Sequence, residues 1–230
     1  MKKNKAVITA DIVHSTRIDI DHKEWLYKSI ENALQTTSND FKIQSEMYRG
    51  DSFQCLIDTP KDALRIALIL KTYIRSLNPS DIIAEIGSVW SEKKKVALLP
   101  NWMFDVRMAI GIGAVAMKMK NIATSDGEAF YLSGRALDEM KNGKYHFGIA
   151  TVDTFKDELA MESLLLDTII GKTSALQCEV INLKLLGYTE IEIAKKLQIQ
   201  QSAVNQRSVN GNWNIINKMV EYYEKIYSNE

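Results

Sequence analysis

The strongest constraint on the fold is the order in which two hydrophobic periodicities follow one another. Lys5 to Ala10 is a short β-rich apolar run ending at Asp11, which reads as a buried strand. His22 to about Thr37 then spaces Trp25, Ile30, Ala33 and Leu34 as an amphipathic helix does. Lys42 to Tyr48 alternates like a strand, Arg49-Gly50-Asp51 has the chemistry of a hairpin turn, and Ser52 to Ile57 is a second strand. Pro60 opens a helix at its favoured first position, with Ala63, Ile66, Ala67 and Leu70 as the apolar face. Val106 to Val115 is strand-like again, with Gly111 and Gly113 marking close backbone approaches or a bulge. The succession β-α-β-β-α-β is that of a split βαβ, ferredoxin-like sheet, so an α+β domain is expected.

The remainder extends this plan. Asn78 to Trp102, with its Glu92-Lys-Lys-Lys95 run, reads as an insertion or loop. Gly127 to Lys141 has helical spacing and Tyr145 to Val152 is a further strand. The sheet domain is therefore expected to span 1–152, and 153–174 a connecting helix and short joint. A separate all-α domain is expected over 175–230. In it, Ala175 to Leu186 forms one helix, broken by Gly187-Tyr188, and Thr189-Glu-Ile-Glu192 is a capping box that starts a short second helix ending near Leu197. Gln198 to Gln201 turns the chain into a third helix beginning near Ser202. Small Ala194 permits a close crossing, Ile199 plugs the turn and Val204 faces the core. Gln200, Gln201, Ser202, Asn205, Gln206 and Arg207 are left pointing outward. A longer final helix carries Trp213, Ile216, Val220 and Ile226.

Composition narrows the possibilities. Hydrophobic residues make up 46% and charged residues 25%, an ordinary globular balance. No apolar run approaches the roughly 18 residues of a membrane span, and Ala6 to Ala10 is too short for a signal-peptide core, so a cytoplasmic protein with no membrane partner is expected. Cys55 and Cys178 fall in different expected domains, and His14, His22 and His146 are scattered, so no zinc-type spacing exists. Net charge is zero, and residues 171–230 carry seven Lys/Arg against six Asp/Glu, a net of +1. So small a basic excess holds few phosphates, and a chain binding nucleic acid with it is expected to act as a homodimer. The apolar final helix and the sheet domain are the candidate pairing surfaces.

Two stretches resemble known families. The run EIAKKLQIQQSAVNQR is similar to the helix-turn-helix of sigma-factor region 4 and of many response regulators, with Gln198 where glycine is usual. The resemblance implies double-stranded DNA as partner, and the six outward residues fit: Gln and Asn pair with adenine edges, Arg with guanine or phosphate. The segment Ala10-Asp-Ile-Val-His-Ser-Thr16 and the hairpin Arg49-Gly-Asp-Ser-Phe53 resemble the two metal-binding segments of class III nucleotidyl cyclases. By that resemblance Asp11 and Asp51 are metal ligands, Mg or Mn is the cofactor and a nucleotide the ligand. Gly127-Glu-Ala-Phe-Tyr-Leu-Ser-Gly-Arg135 is similar to that family's transition-state helix, with Arg135 in the catalytic position. Met47, Thr124 and Tyr131 depart from the cyclase pattern, so efficient catalysis is not expected. The whole layout resembles the bacterial SatD family. The leading expectation is a DNA-binding regulator whose cyclase-like domain dimerises or senses a nucleotide; the alternative is a degenerate metal-dependent nucleotidyl cyclase or related phosphoryl-transfer enzyme.

Overall fold

A computed structural model of the chain describes residues 4–18, 20–48, 50–77, 103–117, 122 and 125–229. The segment expected to be an insertion, 78–102, lies outside them, as do Arg49 and Thr124. The first strand, β1 (Lys5–Ile12), leads through a short turn into helix α1 (Ile20–Phe41). A hairpin of β2 (Gln44–Tyr48) and β3 (Ser52–Ile57) follows, then α2 (Ala63–Ser76) and β4 (Val106–Gly113). A small ribbon, β5 (Val115–Met117) with β6 (Asp126–Gly127), precedes α3 (Glu128–Asn142) and β7 (Phe147–Thr151). The main sheet is five-stranded in the order β2-β3-β1-β4-β7. All neighbours are antiparallel except β4 and β7, which run parallel. The first four strands thus take the order of a split βαβ sheet, and α3 crosses over to add a fifth.

Alternation along β1 decides which helix covers which face. Ala6, Ile8, Ala10 and Ile12 enter the main core with α1 and α2, whereas Val7 packs with Ala129 of α3 on the other side. Gly111 of β4 lets α3 lie close on the sheet: a Cβ there would stand 2.2 Å from the Ala129 carbonyl oxygen and 2.5 Å from the Ser133 amide. Thr9 and Ser133 share a 2.8 Å hydroxyl hydrogen bond across the same seam.

Five further α-helices follow, α4 (Lys156–Gly171), α5 (Ala175–Leu185), α6 (Glu190–Leu197), α7 (Gln201–Asn210) and α8 (Trp213–Ile226), and a single 3-10 turn (Tyr227–Asn229) ends the described residues. Both α5 and α6 start in capping boxes, Ser174 with Gln177 and Thr189 with Glu192. The expected domain boundary at residue 175 falls inside a continuous buried cluster. Ile181 and Leu185 of α5 and Ile216, Val220 and Tyr223 of α8 belong to the same core as β1, β3, β4, α1 and α2. Val180 and Leu183, on the other side of α5, pack instead with Ile193 and Val204. No helix of the described residues is long and apolar enough to cross a membrane.

A buried charge cluster ties these layers together. Lys71 of α2 is fully buried, and its ammonium donates to Asp105 Oδ1 at 3.2 Å, to the Val106 carbonyl at 2.8 Å and to the His146 carbonyl at 3.3 Å. Arg75, one turn later, pairs with Asp105 Oδ2 at 3.0 Å and donates to the carbonyls of Gly171 and Thr173. His146 Nδ1 also meets Asp105 Oδ2, at 2.9 Å. Burial alone would raise the Asp105 pKa, but Lys71, His146, Arg75 and the Val106 amide together hold it well below the usual carboxylate range. Asp105→Asn leaves the Lys71 ammonium buried without its counter-charge, and should lower unfolding free energy by about 3–5 kcal/mol in urea titration. A loss under 1 kcal/mol (roughly the value of an exposed pair) would show that the cluster is not a load on folding.

Glu162 of α4 has the opposite character. It is 8% exposed, and its Oε2 has no hydrogen-bond partner among the described residues. Its neighbour one turn earlier is Glu158, which accepts from Tyr222 of α8. Burial, with a smaller contribution from Glu158, pushes the Glu162 carboxyl up to about 7. A folded-state pKa above the unfolded value of about 4.3 means that the folded protein holds a proton the unfolded chain has released. The resulting penalty is complete above pH ~7 and fades as pH falls toward ~4.3. Glu162→Gln should therefore melt higher than the unmodified protein at pH 8, with the gap closing by pH 5; a pH-independent gap would contradict this assignment.

Candidate functional site

The carboxylate corner forms where β1 ends. Asp11 is flanked in register by Ser52 of β3 and Arg107 of β4. The turn residue Asp51 is stitched to the same end: its carbonyl accepts from the Ile12 amide at 2.8 Å and its Oδ2 from the Ser15 hydroxyl at 2.7 Å. Asp11 and Asp51 are near enough to repel. Burial raises the Asp11 pKa first, Arg107 and Lys141 lower it, and the Asp51 charge raises it further. The chain itself supplies Asp11 with a cation. Arg107 Nε donates to Asp11 Oδ1 at 3.0 Å, with both side chains largely buried.

This guanidinium was not foreseen. Its signal was a basic residue second in a strand flush with β1, and reading it requires the strand pairing. Lys141, at the end of α3, is the helix residue whose charge reaches Asp11. Arg135 is elsewhere. The face of α3 toward the sheet carries Ala129, Ser133, Leu137 and Met140, and Arg135 lies on the opposite side, its side chain 65% exposed. There Arg135 donates to Glu139 at 3.1 Å and to the Tyr131 hydroxyl at 3.2 Å. Within one chain it does not join the two aspartates.

Among the described residues no group of three or more His, Cys, Asp or Glu side chains could hold a metal. The donor set at the corner is two carboxylates, one of them ion-paired. That set fits a single Mg or Mn ion with most of its ligands drawn from water or phosphate, and not a pair of ions.

The second locus is the α6–α7 pair. Gln198 ends α6 at φ 54°, a left-handed conformation that costs a non-glycine residue about 1 kcal/mol or more. The Ile199 amide then bonds back to the Ala194 carbonyl at 3.0 Å, and Ile199 packs beside Leu197 on the Val180–Leu183–Ile193–Val204 cluster. On α7 only Val204 and Ser208 are buried, while Gln200, Gln201, Ser202, Asn205 and Gln206 are exposed. Two intrachain carboxylates reach this surface. Glu190 is held in the charged form first by the hydrogen bond that Lys184 donates to its Oε1 at 2.8 Å, with Asn205 and Gln201 acting in the same direction. Glu179 takes Arg207, whose Nη1 lies 3.3 Å from its Oε2, so Arg207 is half-buried and paired rather than directed outward.

No family model matches this chain, and no curated protein matches it. Some solved structures are similar in part. An adenylate cyclase from Trypanosoma brucei shares 16% identity at TM-score 0.43, over 58% of this chain and 68% of that one. The active GGEEF domain of a diguanylate cyclase from Vibrio cholerae shares 13% at TM-score 0.41, over 66% and 85%. An adenylyl cyclase from P. aeruginosa shares 14% at TM-score 0.42, over 60% and 73%.

Proposed function

We propose that this chain is a DNA-binding regulatory protein that reads duplex DNA with α7, as the second helix of a helix-turn-helix formed by α6 and α7. The observation that carries the reading is the start of α7, where five exposed amide and hydroxyl side chains follow a tight turn. Amides in such a row match adenine edges in a major groove, and α6 would cross the phosphate backbone with Lys195 and Lys196, both exposed. Glu190 and Glu179 oppose binding by simple repulsion, so contact with DNA through Arg207 requires it to leave Glu179. Membership of the SatD family belongs to the same proposal. Its support is the order of Asp11, Asp51, the Gly127–Arg135 stretch and the α6–α7 unit along one chain.

Selection from a random duplex pool at low salt tests the reading. Asn205→Ala and Arg207→Ala should each lower affinity for a selected site by about 1–3 kcal/mol. Glu190→Gln should raise affinity for all sequences, because it removes a negative charge beside α7. With Lys195 and Lys196 as the main phosphate contacts, log Kd should change with log salt at a slope of about 2 per protomer. Retention of no duplex at low salt by the unmodified protein would end the proposal.

The corner formed by Asp11 and Asp51 favours a second reading, a site for one divalent ion and the phosphates of a nucleotide. Bound there, the ion would supply Lewis-acid polarisation of a phosphoryl oxygen. Asp11 and Asp51 would hold it, and Arg107 and Lys141 would face the phosphate charge. Turnover to a cyclic product is not expected, because Arg135 faces away and Tyr131 occupies its donor. Magnesium or manganese at about ten times its Kd should stabilise the protein by ~1.4 kcal/mol, a rise of ~3–6 °C in Tm, and Asp51→Asn should abolish the rise. Identical melting curves in metal and in chelator would remove this reading and leave the first intact.

A further inference from the structure

Helix α4 is apolar on two opposite sides. Leu159, Leu166 and Ile170 are buried in the main core. Met161, Leu164 and Leu165 point the other way and are 59%, 40% and 53% exposed. At 3.6 residues per turn, Asp157, Met161, Leu164, Leu165, Thr168 and Lys172 fall within one stripe about 100° wide, and all six are exposed. A helix with apolar residues all round is ordinarily covered all round. In α8, Ile216, Val220 and Tyr223 are buried within the chain, Met219 and Ile226 are partly covered by the same core, and of its exposed apolar residues, Ile215 and Tyr222, the second is tied through its hydroxyl to Glu158 of α4.

The charges on the α4 stripe say what covers it. The stripe is acidic at one end and basic at the other, and Asp157 and Lys172 lie equally far from the midpoint between Leu164 and Leu165, about 11 Å each. Two copies packed antiparallel about that midpoint would set each Asp157 against the other's Lys172 and each Met161 against the other's Thr168, with the four leucines at the axis. A parallel pairing would oppose like charges. We infer that α4 is the two-fold interface of a homodimer, formed by a second copy of this chain seated antiparallel on the Met161–Leu164–Leu165 stripe. The three apolar side chains offer on the order of 300 Å² per protomer, a sizeable part of the roughly 800 Å² that a standard interface buries on each side. Isologous self-complementarity of this kind is what a closed dimer requires and what an arbitrary partner does not. The inference is independent of DNA binding, because the pairing is read without DNA.

Sedimentation of the full chain at micromolar to tens of micromolar tests it. The unmodified protein should be a dimer. Leu165→Glu should weaken the dimer by about tenfold or more without changing circular dichroism or the monomer's melting, since the side chain is exposed. Asp157→Lys and Lys172→Asp should each weaken association, and the two together should restore it, an outcome that a merely damaged fold would not give. Leu165→Cys, in a protein whose own Cys55 and Cys178 are buried, should form an intermolecular disulfide on mild oxidation. A monomer at tens of micromolar, a dimer indifferent to Leu165→Glu, or a double charge swap no better than either single would each overturn the assignment.

Discussion

The ion pair between Lys71 and Asp105 is the constraint on which the arrangement of layers depends. An ammonium removed from water costs several kcal/mol unless its donors are met, and Lys71 meets a carboxylate and two main-chain carbonyls at once. Those acceptors come from the lead-in to β4, from β4 itself and from the residue before β7, so the pair fixes α2 against the strands that α3 joins. Arg75 extends the cluster to the carbonyls at the end of α4 and just before α5. Asn182 of α5 donates to the Ile69 carbonyl and the Thr72 hydroxyl of the same helix α2. Polar contacts with strict geometry thus decide the register of helices whose apolar faces alone would tolerate sliding.

The same cluster shows where sequence reading reaches its limit. The strands and helices of the sheet were legible because each obeys one period. Ala6, Ile8, Ala10 and Ile12 alternate, and α2 and α3 keep helical spacing, so their bounds fall within a few residues of expectation. α1 extends further, to Phe41, because Asn39 and Asp40 lie on its exposed side and Ser38 is met by Ser45 of β2, until Lys42 turns left-handed at φ 54°. Nothing in the spacing around Lys71 and Arg75 marks them as buried. Their burial follows from Ile66, Leu68, Ile69, Leu70 and Ile74, which leave α2 almost no polar face. The Asp11–Arg107 pair demanded a strand register that no local pattern encodes. Nor could the boundary at 175 be judged locally, because α5 is apolar on two sides and only the assembled core shows that each side belongs to a different cluster.

Both candidate loci are occupied by partners from within the chain. Arg107 neutralises Asp11, Lys184 donates to Glu190, and Glu179 takes Arg207 of α7. An external ligand at either place must replace charge-assisted hydrogen bonds that already exist, so it gains only the difference between old and new partners. Weak, non-selective ligands are disfavoured by that exchange more than ligands able to satisfy every displaced group.

α5 makes these local properties a matter for the whole molecule. One of its sides, through Ile181 and Leu185, completes the sheet's core, and the other, through Val180 and Leu183, forms the floor on which α6 and α7 rest. Its N-terminus follows α4 after only Lys172, Thr173 and Ser174, and the Ser174 capping box and the Arg75 bond to Thr173 hold that joint. The exposed face of α7 is therefore not carried on a flexible tether. Its direction is set by α5, the direction of α5 by α2 and the buried cations, and the position of α4 by the same residues. Whatever seats on the outer stripe of α4 accordingly fixes the placement of α7 through packed helices, without a hinge in between, and the distance between two such surfaces becomes a property of the fold.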